Sequence, residues 1–173
     1  HVDFLTLPVL WRGSAEAVAE RAAKARVDGV LVVGVAVEAD DFRVETLGRN
    51  AASCERLDHS GAAWPHSTIQ VDGPPILAAT APVDAMYRAL ITAGLPARLS
   101  DDAGDYLCNF TLYRMLHGAA APTVGFLHVP QARDLAVGAA FNLADVERAV
   151  VACASAFAEA LTTRRPVAGS RRA

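Results

Sequence analysis

The sequence predicts an α/β fold, a three-layer αβα sandwich in which helices cover both faces of a mostly parallel, mixed sheet. Apolar strand-like segments alternate with segments of helical periodicity along the chain, which is the pattern of βαβ units. Residues 30–35 are continuously apolar, as expected of a strand covered on both faces. With 173 residues, 53% of them hydrophobic, the chain has the size of one domain with a substantial core.

The N-terminal part predicts a strand followed by a helix. Residues 2–9 are rich in apolar side chains and predict the strand. Ser14 can cap a helix that runs to about Arg26, because its hydroxyl can accept a hydrogen bond from the first turn. Asp28-Gly29 then breaks the helix, and the apolar run begins immediately after it.

A short strand and a long connection follow the apolar run. Residues 43–47 predict the strand, which ends near a carboxylate, Glu45. Residues 48–75 are rich in Ser, Gly, Pro, Asp and His. A connection of this length buries its backbone poorly, so we expect it to be functional or mobile.

Helices and strands alternate in the second half. A proline opens the first helix, glycines end the first two, and Asn142 caps the last. The predicted order is helix 82–93, strand 96–100, helix 107–117, strand 123–129 and helix 142–163.

Charge argues against nucleic acid as a partner. The formal net charge is −3, and the last ten residues contain four arginines and no acid. The rest of the chain therefore carries about −7, which would repel a phosphate backbone. We expect residues 1–163 to form a single α/β domain and residues 164–173 a basic, disordered tail.

Compartment and cofactors follow from the cysteines and the apolar runs. No segment predicts a membrane span or a signal peptide, so we expect a cytoplasmic protein with no membrane partner. Cys54, Cys108 and Cys153 are widely spaced and lie in no His/Cys cluster. This spacing predicts neither disulfides nor a metal site. Cys153 is expected in the core, and Cys54 beside Glu55 is a poor nucleophile.

Cys108 is the strongest catalytic candidate. It lies where a turn meets a helix, and cysteine attacks a carbonyl only as thiolate, which a helix N-terminus and a nearby imidazole favour. His128 ends an apolar strand and Glu45 lies near the end of another, so all three can meet on one rim of the sheet. Taken singly, Cys108 could be packing, His128 a satisfied strand-end residue and Glu45 a surface carboxylate.

The surrounding motifs resemble those of the pyroglutamyl peptidase I (pyrrolidone-carboxylate peptidase) family. The family's Ser-x-x-Ala-Gly-x-Tyr-x-Cys-Asn-x-x-x-Tyr block is matched at Ser100, Ala103, Gly104, Tyr106, Cys108, Asn109 and Tyr113. Its Gly-Phe-Ile-His-hydrophobic-Pro block is matched by residues 125–130, with leucine for isoleucine. Its glutamate block resembles residues 44–50, and Asp72-Gly73-Pro74 resembles a family connection.

The resemblance implies a cysteine peptidase of phosphorylase/hydrolase-like fold that removes N-terminal pyroglutamyl residues from peptides. Cys108 would be the nucleophile, His128 the general base and then acid, and Glu45 the group that orients the imidazole. Arg56, Leu107 and Tyr106 are candidates for substrate or oxyanion binding. The resemblance also implies a homo-oligomer, a dimer or tetramer, and no metal or organic cofactor.

Two departures from the family pattern leave other functions open. The chain has no Gly-Phe-x-Pro-Phe-Gly-Gly loop and begins at what resembles the family's second strand, so we expect exposed strand edges. Thr46, Leu47 and Gly48 stand where Arg-Val-Ala is common. The alternatives are an amidase acting on another small lactam or acyl group, and a non-catalytic homologue or fragment that serves as an interaction domain.

Overall fold

Helices and strands alternate through the computed structural model, which describes residues 1–135, 138 and 140–164. The prediction of an α/β chain is confirmed. In chain order the elements are α1 Ser14–Ala25, β1 Gly29–Ala36, β2 Phe42–Glu45, β3 Leu47–Arg49, β4 Ile76–Ala78, α2 Val83–Thr92, β5 Ala97–Ser100, α3 Leu107–His117, β6 Thr123–Pro130 and α4 Leu143–Arg164.

The main sheet has the strand order β1-β6-β2-β5 and is mixed, as predicted. β1 runs parallel to β6 and β2 runs parallel to β5, whereas β2 and β6 are antiparallel. β3 and β4 form a separate antiparallel pair at the two ends of the long connection. The predicted strand 43–47 is thus split at Thr46, whose N–H and hydroxyl both donate to the carbonyl of Ser100.

Helices cover both faces of this sheet, which completes the three layers. On one face, Phe42, Val44 and Leu127 pack against the inner sides of α2 and α4, where Cys153 is fully buried as predicted. On the other face, Val124 and Phe126 pack against α1 and α3. Each fully buried Leu, Phe or Met contributes about 1.5–3 kcal/mol, so β6, buried along its whole length, is the centre of the core.

The strand predicted over residues 2–9 is wrong. The segment forms no strand within the described chain, and Phe4 is 87% exposed. A strand requires a hydrogen-bonded neighbour, and this segment lies instead beside α1 and the long connection. Asp3 binds the guanidinium of Arg21, and the carbonyl of Val9 accepts from the N–H of His59.

β1 is an edge strand and is not covered on both faces, contrary to the prediction from its apolar run. Val32 is buried, but Val33 and Val35 are 41% and 54% exposed. α4 reaches only the beginning of the strand, where Phe157 and Leu161 contact Gly29. The outer edge and the carboxyl-terminal half of β1 are therefore open within the described chain.

Helix termini follow the predicted chemistry with one correction. Asn142 caps α4: its Oδ1 accepts from the N–H of Asp145, and the Asp145 carboxylate accepts from the N–H of Asn142. Ser14 is the first residue of α1 and not its cap. The N-cap is Gly13, whose φ of 105° suits glycine, and Ser14 donates instead to the carbonyl of Leu10. Beyond Arg164, the predicted tail lies outside the described residues.

The long connection is held by buried groups. Trp64 is buried against Trp11 and Phe110 and anchors the connection there. Asp58 accepts hydrogen bonds from Ser60 and from the N–H of Trp11, which lower the pKa of this carboxyl to about 2. These anchors fix the connection beside the N-terminus of α3.

Candidate active site

Glu45 and His128 form a buried hydrogen-bonded pair. Nδ1 of His128 lies 2.7 Å from Oε1 of Glu45, and the two residues are 6% and 0% exposed. Because an ionised carboxylate can only accept, Nδ1 carries the proton and Nε2 is the ring nitrogen left for another partner. The alternative of a surface carboxylate at Glu45 is therefore wrong.

Cys108 is the other partner of this histidine. It lies in the first turn of α3, whose N-cap, Tyr106, makes no side-chain cap hydrogen bond. Burial acts to lower the pKa of His128, but hydrogen bonds and charge interactions with Cys108 and Glu45 outweigh it and raise the pKa from 6.5 to about 9. The structure thus brings together the three residues singled out in the sequence.

The sequence suggested that the three side chains would meet at one rim of the sheet. The structure instead places them together on one face of it. Glu45 pairs with Phe126 and Arg43 pairs with His128, because β2 and β6 are antiparallel. The carboxyl ends of these two strands therefore point in opposite directions. Glu45 and His128 meet diagonally across the strands, and α3 brings Cys108 over that face.

The floor of the site is made by Phe126 and Gly34. The ring of Phe126 lies 4.7 Å from the imidazole of His128, centroid to centroid. Gly34 pairs with His128 on the neighbouring strand. A Cβ at Gly34 would lie 2.7 Å from Cζ of Phe126 and 3.2 Å from Sγ of Cys108, so the absence of a side chain leaves the room that ring and thiol occupy.

Only one oxygen of the buried Glu45 carboxylate is hydrogen-bonded among the described residues. Its Oε2 atom is buried and has no hydrogen-bond partner among the described residues. A buried charge with one satisfied oxygen is costly, and such groups are retained more often for chemistry than for stability. This arrangement suits a carboxylate whose task is to orient and charge-stabilise an imidazolium.

Arg56 and Tyr106 lie together at the entrance of α3. The Arg56 guanidinium carbon is 4.2 Å above the centre of the Tyr106 ring, and its Nη1 is 3.4 Å from Oδ1 of Asp105. The Tyr106 hydroxyl donates to the carbonyl of Leu57, 2.8 Å away. Leu107 is buried in the aromatic cluster, so what it can offer a ligand is its backbone N–H at the start of the helix.

Two cavities open elsewhere on the described surface. One of about 210 Å³ lies between α1 and α3 and is lined by Ala15 and Met115 among others. One of about 170 Å³ is lined by Trp11, Asp58 and Trp64 among others. Neither is lined by Cys108, His128 or Glu45.

Residues 1–135, 138 and 140–164 contain no group of three or more His, Cys, Asp or Glu side chains that could hold a metal ion. In the same described part of the chain, no helix combines the length and apolar character that a membrane crossing requires.

Comparison with protein families identifies the chain. Residues 1–161 match the family model described as pyroglutamyl peptidase. The chain belongs to the pyroglutamyl peptidase family. The resemblance found in the sequence motifs is thereby confirmed, and so is its assignment to the cysteine-type peptidases.

Curated relatives agree with this membership. The pyrrolidone-carboxylate peptidase of Streptococcus suis is 31% identical over 167 residues, which span 92% of this chain and 78% of that protein. The pyrrolidone-carboxylate peptidase of Cupriavidus taiwanensis is 33% identical over 168 residues, which span 93% of this chain and 77% of that protein.

Solved structures of the family share the fold. The pyrrolidone carboxyl peptidase of Thermococcus litoralis superposes with a TM-score of 0.84 at 24% identity, covering 96% of this chain and 81% of that one. The pyroglutamyl peptidase I of Bacillus amyloliquefaciens gives 0.81 at 21% identity, covering 88% and 76%. The predicted αβα class is therefore that of the pyroglutamyl peptidase family.

Sequence reasoning missed three residues that shape this pyroglutamyl peptidase site. Gly34 lies within the apolar run of residues 30–35, where an isolated glycine indicates a close approach of another group. Asn109 belongs to the matched cysteine motif, which gives it no role of its own, and it is completely buried. Trp11, whose Nε1–H donates to the carbonyl of Arg56, carries no signal in the sequence because its partner lies 45 positions away.

Proposed function

We propose that this chain is a cysteine peptidase that removes an N-terminal pyroglutamyl residue from peptides, with Cys108, His128 and Glu45 as its catalytic triad. The observation that carries the proposal is the buried 2.7 Å hydrogen bond between Glu45 and His128 beside a cysteine in the first turn of a helix. Nucleophile, base and orienting group then stand in one chain of contacts, which is the arrangement that covalent acyl transfer requires.

The first half of the reaction forms an acyl-enzyme. Nε2 of His128 takes the proton of the Cys108 thiol, and Sγ forms a bond to the pyroglutamyl carbonyl carbon while the carbonyl electron pair moves to the oxygen. When the carbonyl reforms, the C–N bond breaks and Nε2–H gives its proton to the departing amine. Glu45 remains ionised and stabilises the imidazolium in between.

The second half releases pyroglutamate. Nε2 takes a proton from water, whose oxygen attacks the thioester carbon; the C–S bond then breaks and the thiolate recovers the proton from Nε2–H. Backbone N–H groups of Leu107 and Cys108, in the uncapped first turn of α3, are the proposed donors to the oxyanion of both steps. Arg56 and Tyr106 are proposed to contact the substrate.

A cysteine-by-cysteine comparison tests this proposal. Hydrolysis of a pyroglutamyl chromogenic amide is measured for the parent and for Cys108→Ala and Cys54→Ala. Cys54 is an exposed cysteine outside the proposed triad and serves as the matched control. We expect turnover to fall by on the order of 10⁴-fold or more in Cys108→Ala and to persist in Cys54→Ala.

Three other outcomes of these measurements would contradict the proposal or support one of the alternative functions. Equal turnover by the parent and Cys108→Ala excludes Cys108 as nucleophile. A parent that hydrolyses other small acyl amides but not the pyroglutamyl amide is an amidase of different specificity. A parent whose Cys108 reacts no faster than an ordinary thiol, and which hydrolyses neither, has the interaction role of a non-catalytic homologue.

We also propose a reducing compartment such as the cytoplasm and a homo-oligomeric state, dimer or tetramer. All three cysteines are unpaired, which is compatible with a reducing environment. The open edge of β1, with Val33 and Val35 exposed, is a surface that another chain could cover. Light scattering of the purified protein tests the assembly: a mass of one chain contradicts it.

A further inference from the structure

We propose that Asn109 is a positioning residue of the site, which fixes the first turn of α3, and with it the Cys108 thiol, to the segment that follows Glu45. For its effect on turnover this inference rests on the function proposed above. Its effect on the thiol itself does not, because the reactivity of Cys108 can be measured without a substrate.

Asn109 makes three hydrogen bonds, all to backbone groups of one short segment. Its Oδ1 accepts from the N–H of Arg49 at 2.9 Å. Its Nδ2 donates to the carbonyls of Arg49 at 2.9 Å and Ala51 at 2.8 Å. Both amide protons and one oxygen lone pair are used, and the residue is completely buried. The amide therefore fits one orientation of the helix relative to this segment.

The segment that Asn109 holds is continuous with Glu45. Only Thr46 separates Glu45 from β3, and β3 ends at Arg49. Thr46 in turn holds the carbonyl of Ser100 through its N–H and its hydroxyl, at 2.7 and 2.8 Å. The segment that contains Cys108 is thus hydrogen-bonded to the segment that follows Glu45 at two points, one before the cysteine at Ser100 and one after it at Asn109.

This arrangement gives Asn109 a role that its packing alone does not explain. Cys108 must keep its sulfur in reach of His128 while Glu45 keeps the imidazole in place. The two sides of the site lie on separate elements, and Asn109 is the residue of α3 that joins them beside the nucleophile. A displacement of about 1 Å between reacting groups can cost on the order of 100-fold in rate.

The chain offers a matched control in Asn50. This amide makes four hydrogen bonds of the same kind, accepting from the N–H groups of Ile69 and Gln70 and donating to the carbonyls of Gln70 and Gly73. All four lie within the long connection and none goes to α3. Asn50 lies between Arg49 and Ala51, so Asn50→Ala removes a comparable set of hydrogen bonds from the same segment but leaves in place the backbone groups that Asn109 binds.

The experiment compares Asn109→Ala and Asn50→Ala with the parent, at a temperature at which thermal unfolding shows all three to be folded. The rate of Cys108 alkylation by iodoacetamide is followed by peptide mass mapping, which separates it from Cys54. kcat and KM are measured with the pyroglutamyl amide. Asn109→Ser restores a short hydrogen-bonding group and should partly restore the alkylation rate and kcat. If Asn109→Ala does not fold, Asn109→Ser is compared with the parent in its place.

We expect Asn109→Ala to slow alkylation severalfold and to lower kcat by on the order of 100-fold, with KM changed much less. Asn50→Ala should keep the parent's alkylation rate despite a similar loss of thermal stability. The inference is overturned if folded Asn109→Ala is alkylated at the parent's rate, or if Asn50→Ala slows alkylation equally. If the parent has no pyroglutamyl amidase activity, the proposed function fails while the alkylation rates still decide the role of Asn109.

Discussion

Glu45 and His128 meet diagonally across the antiparallel strands β2 and β6, with 2.7 Å between Oε1 and Nδ1. Neither residue is directly opposite the other in the sheet, since Glu45 faces Phe126 and His128 faces Arg43. Diagonal neighbours on one face are close enough for long side chains to bond. The orientation of the imidazole is therefore set by the register of these two strands.

Glu45→Gln should lower kcat strongly and should also cost some stability. The amide keeps the shape of the carboxylate but not its charge, so the imidazolium loses its stabilising partner and kcat should fall by roughly 10²–10⁴-fold. The change also removes a charge that helps to raise the pKa of His128, and it leaves a buried amide where Oε2 has no partner among the described residues, so stability should fall as well, by about 1–3 kcal/mol. Urea unfolding and kcat are measured together, with the exposed Glu147→Gln as control. Unchanged kcat would exclude an orienting role for Glu45.

Protein stability should depend on the protonation of His128. The pKa of this imidazole is raised to about 9 from 6.5, so the folded state holds its proton more tightly than the unfolded state. The resulting stabilisation, roughly 3 kcal/mol, is fully present below pH 6.5, declines as the pH rises above 6.5 and is lost above pH 9. Urea unfolding across this range should show the decline in the parent and not in His128→Gln. If the free energy of unfolding changes with pH in the same way in both proteins, this prediction is refuted.

Gly34→Ala should disturb the thiol, whereas Gly29→Ala should disturb only the core. The methyl group at Gly34 would lie 2.7 Å from Phe126 and 3.2 Å from Sγ of Cys108. At Gly29 in the same strand it would lie 2.6 Å from Phe157 and far from the site. Both variants should lose about 1–3 kcal/mol of stability. Only Gly34→Ala should also slow Cys108 alkylation and lower kcat. Equal effects of both variants on the alkylation rate would show that the close approach of position 34 to Sγ of Cys108 does not matter for the thiol.

Arg56→Ala should weaken substrate binding more than chemistry. The guanidinium lies over the Tyr106 ring and beside Asp105, near the start of α3 but not on the triad. Loss of a charged donor to the substrate typically costs enough binding free energy to raise KM roughly ten-fold. Steady-state kinetics with the exposed Arg148→Ala as control measure this effect. A fall in kcat at constant KM would assign Arg56 a different role.

Much of the fold was predictable because its signals are local. Periodicity and caps located all four helices, and α3 begins and ends where the turn and Gly118 placed it. The strand at residues 30–35 was predicted correctly, but its burial was not, and the strand predicted over residues 2–9 does not form, because a strand's existence and burial depend on neighbours that the local pattern does not contain. The antiparallel pairing of β2 with β6 was invisible for the same reason.

The site was predictable to the extent that motifs mark its residues. Cys108, His128 and Glu45 could be named because their chemistry is complementary, but their meeting on a sheet face depends on strand register. Gly34 acts by leaving room for the Phe126 ring and the Cys108 thiol, and Asn109 acts by hydrogen bonds to the backbone of residues 49–51. Both effects depend on residues distant in the sequence, so the local sequence does not predict them.

The central claim, that Cys108 is the nucleophile of a pyroglutamyl peptidase, is tested most directly by trapping the acyl-enzyme. Parent protein and Cys108→Ser are mixed with a pyroglutamyl ester, quenched with acid during turnover and examined by intact mass and peptide mapping. The account predicts a mass increase of one pyroglutamyl group in the parent, located on Cys108 and absent when His128→Gln is treated in the same way. Turnover by the parent with the label on another residue, or with no adduct at Cys108 when deacylation has been made rate-limiting, would contradict it.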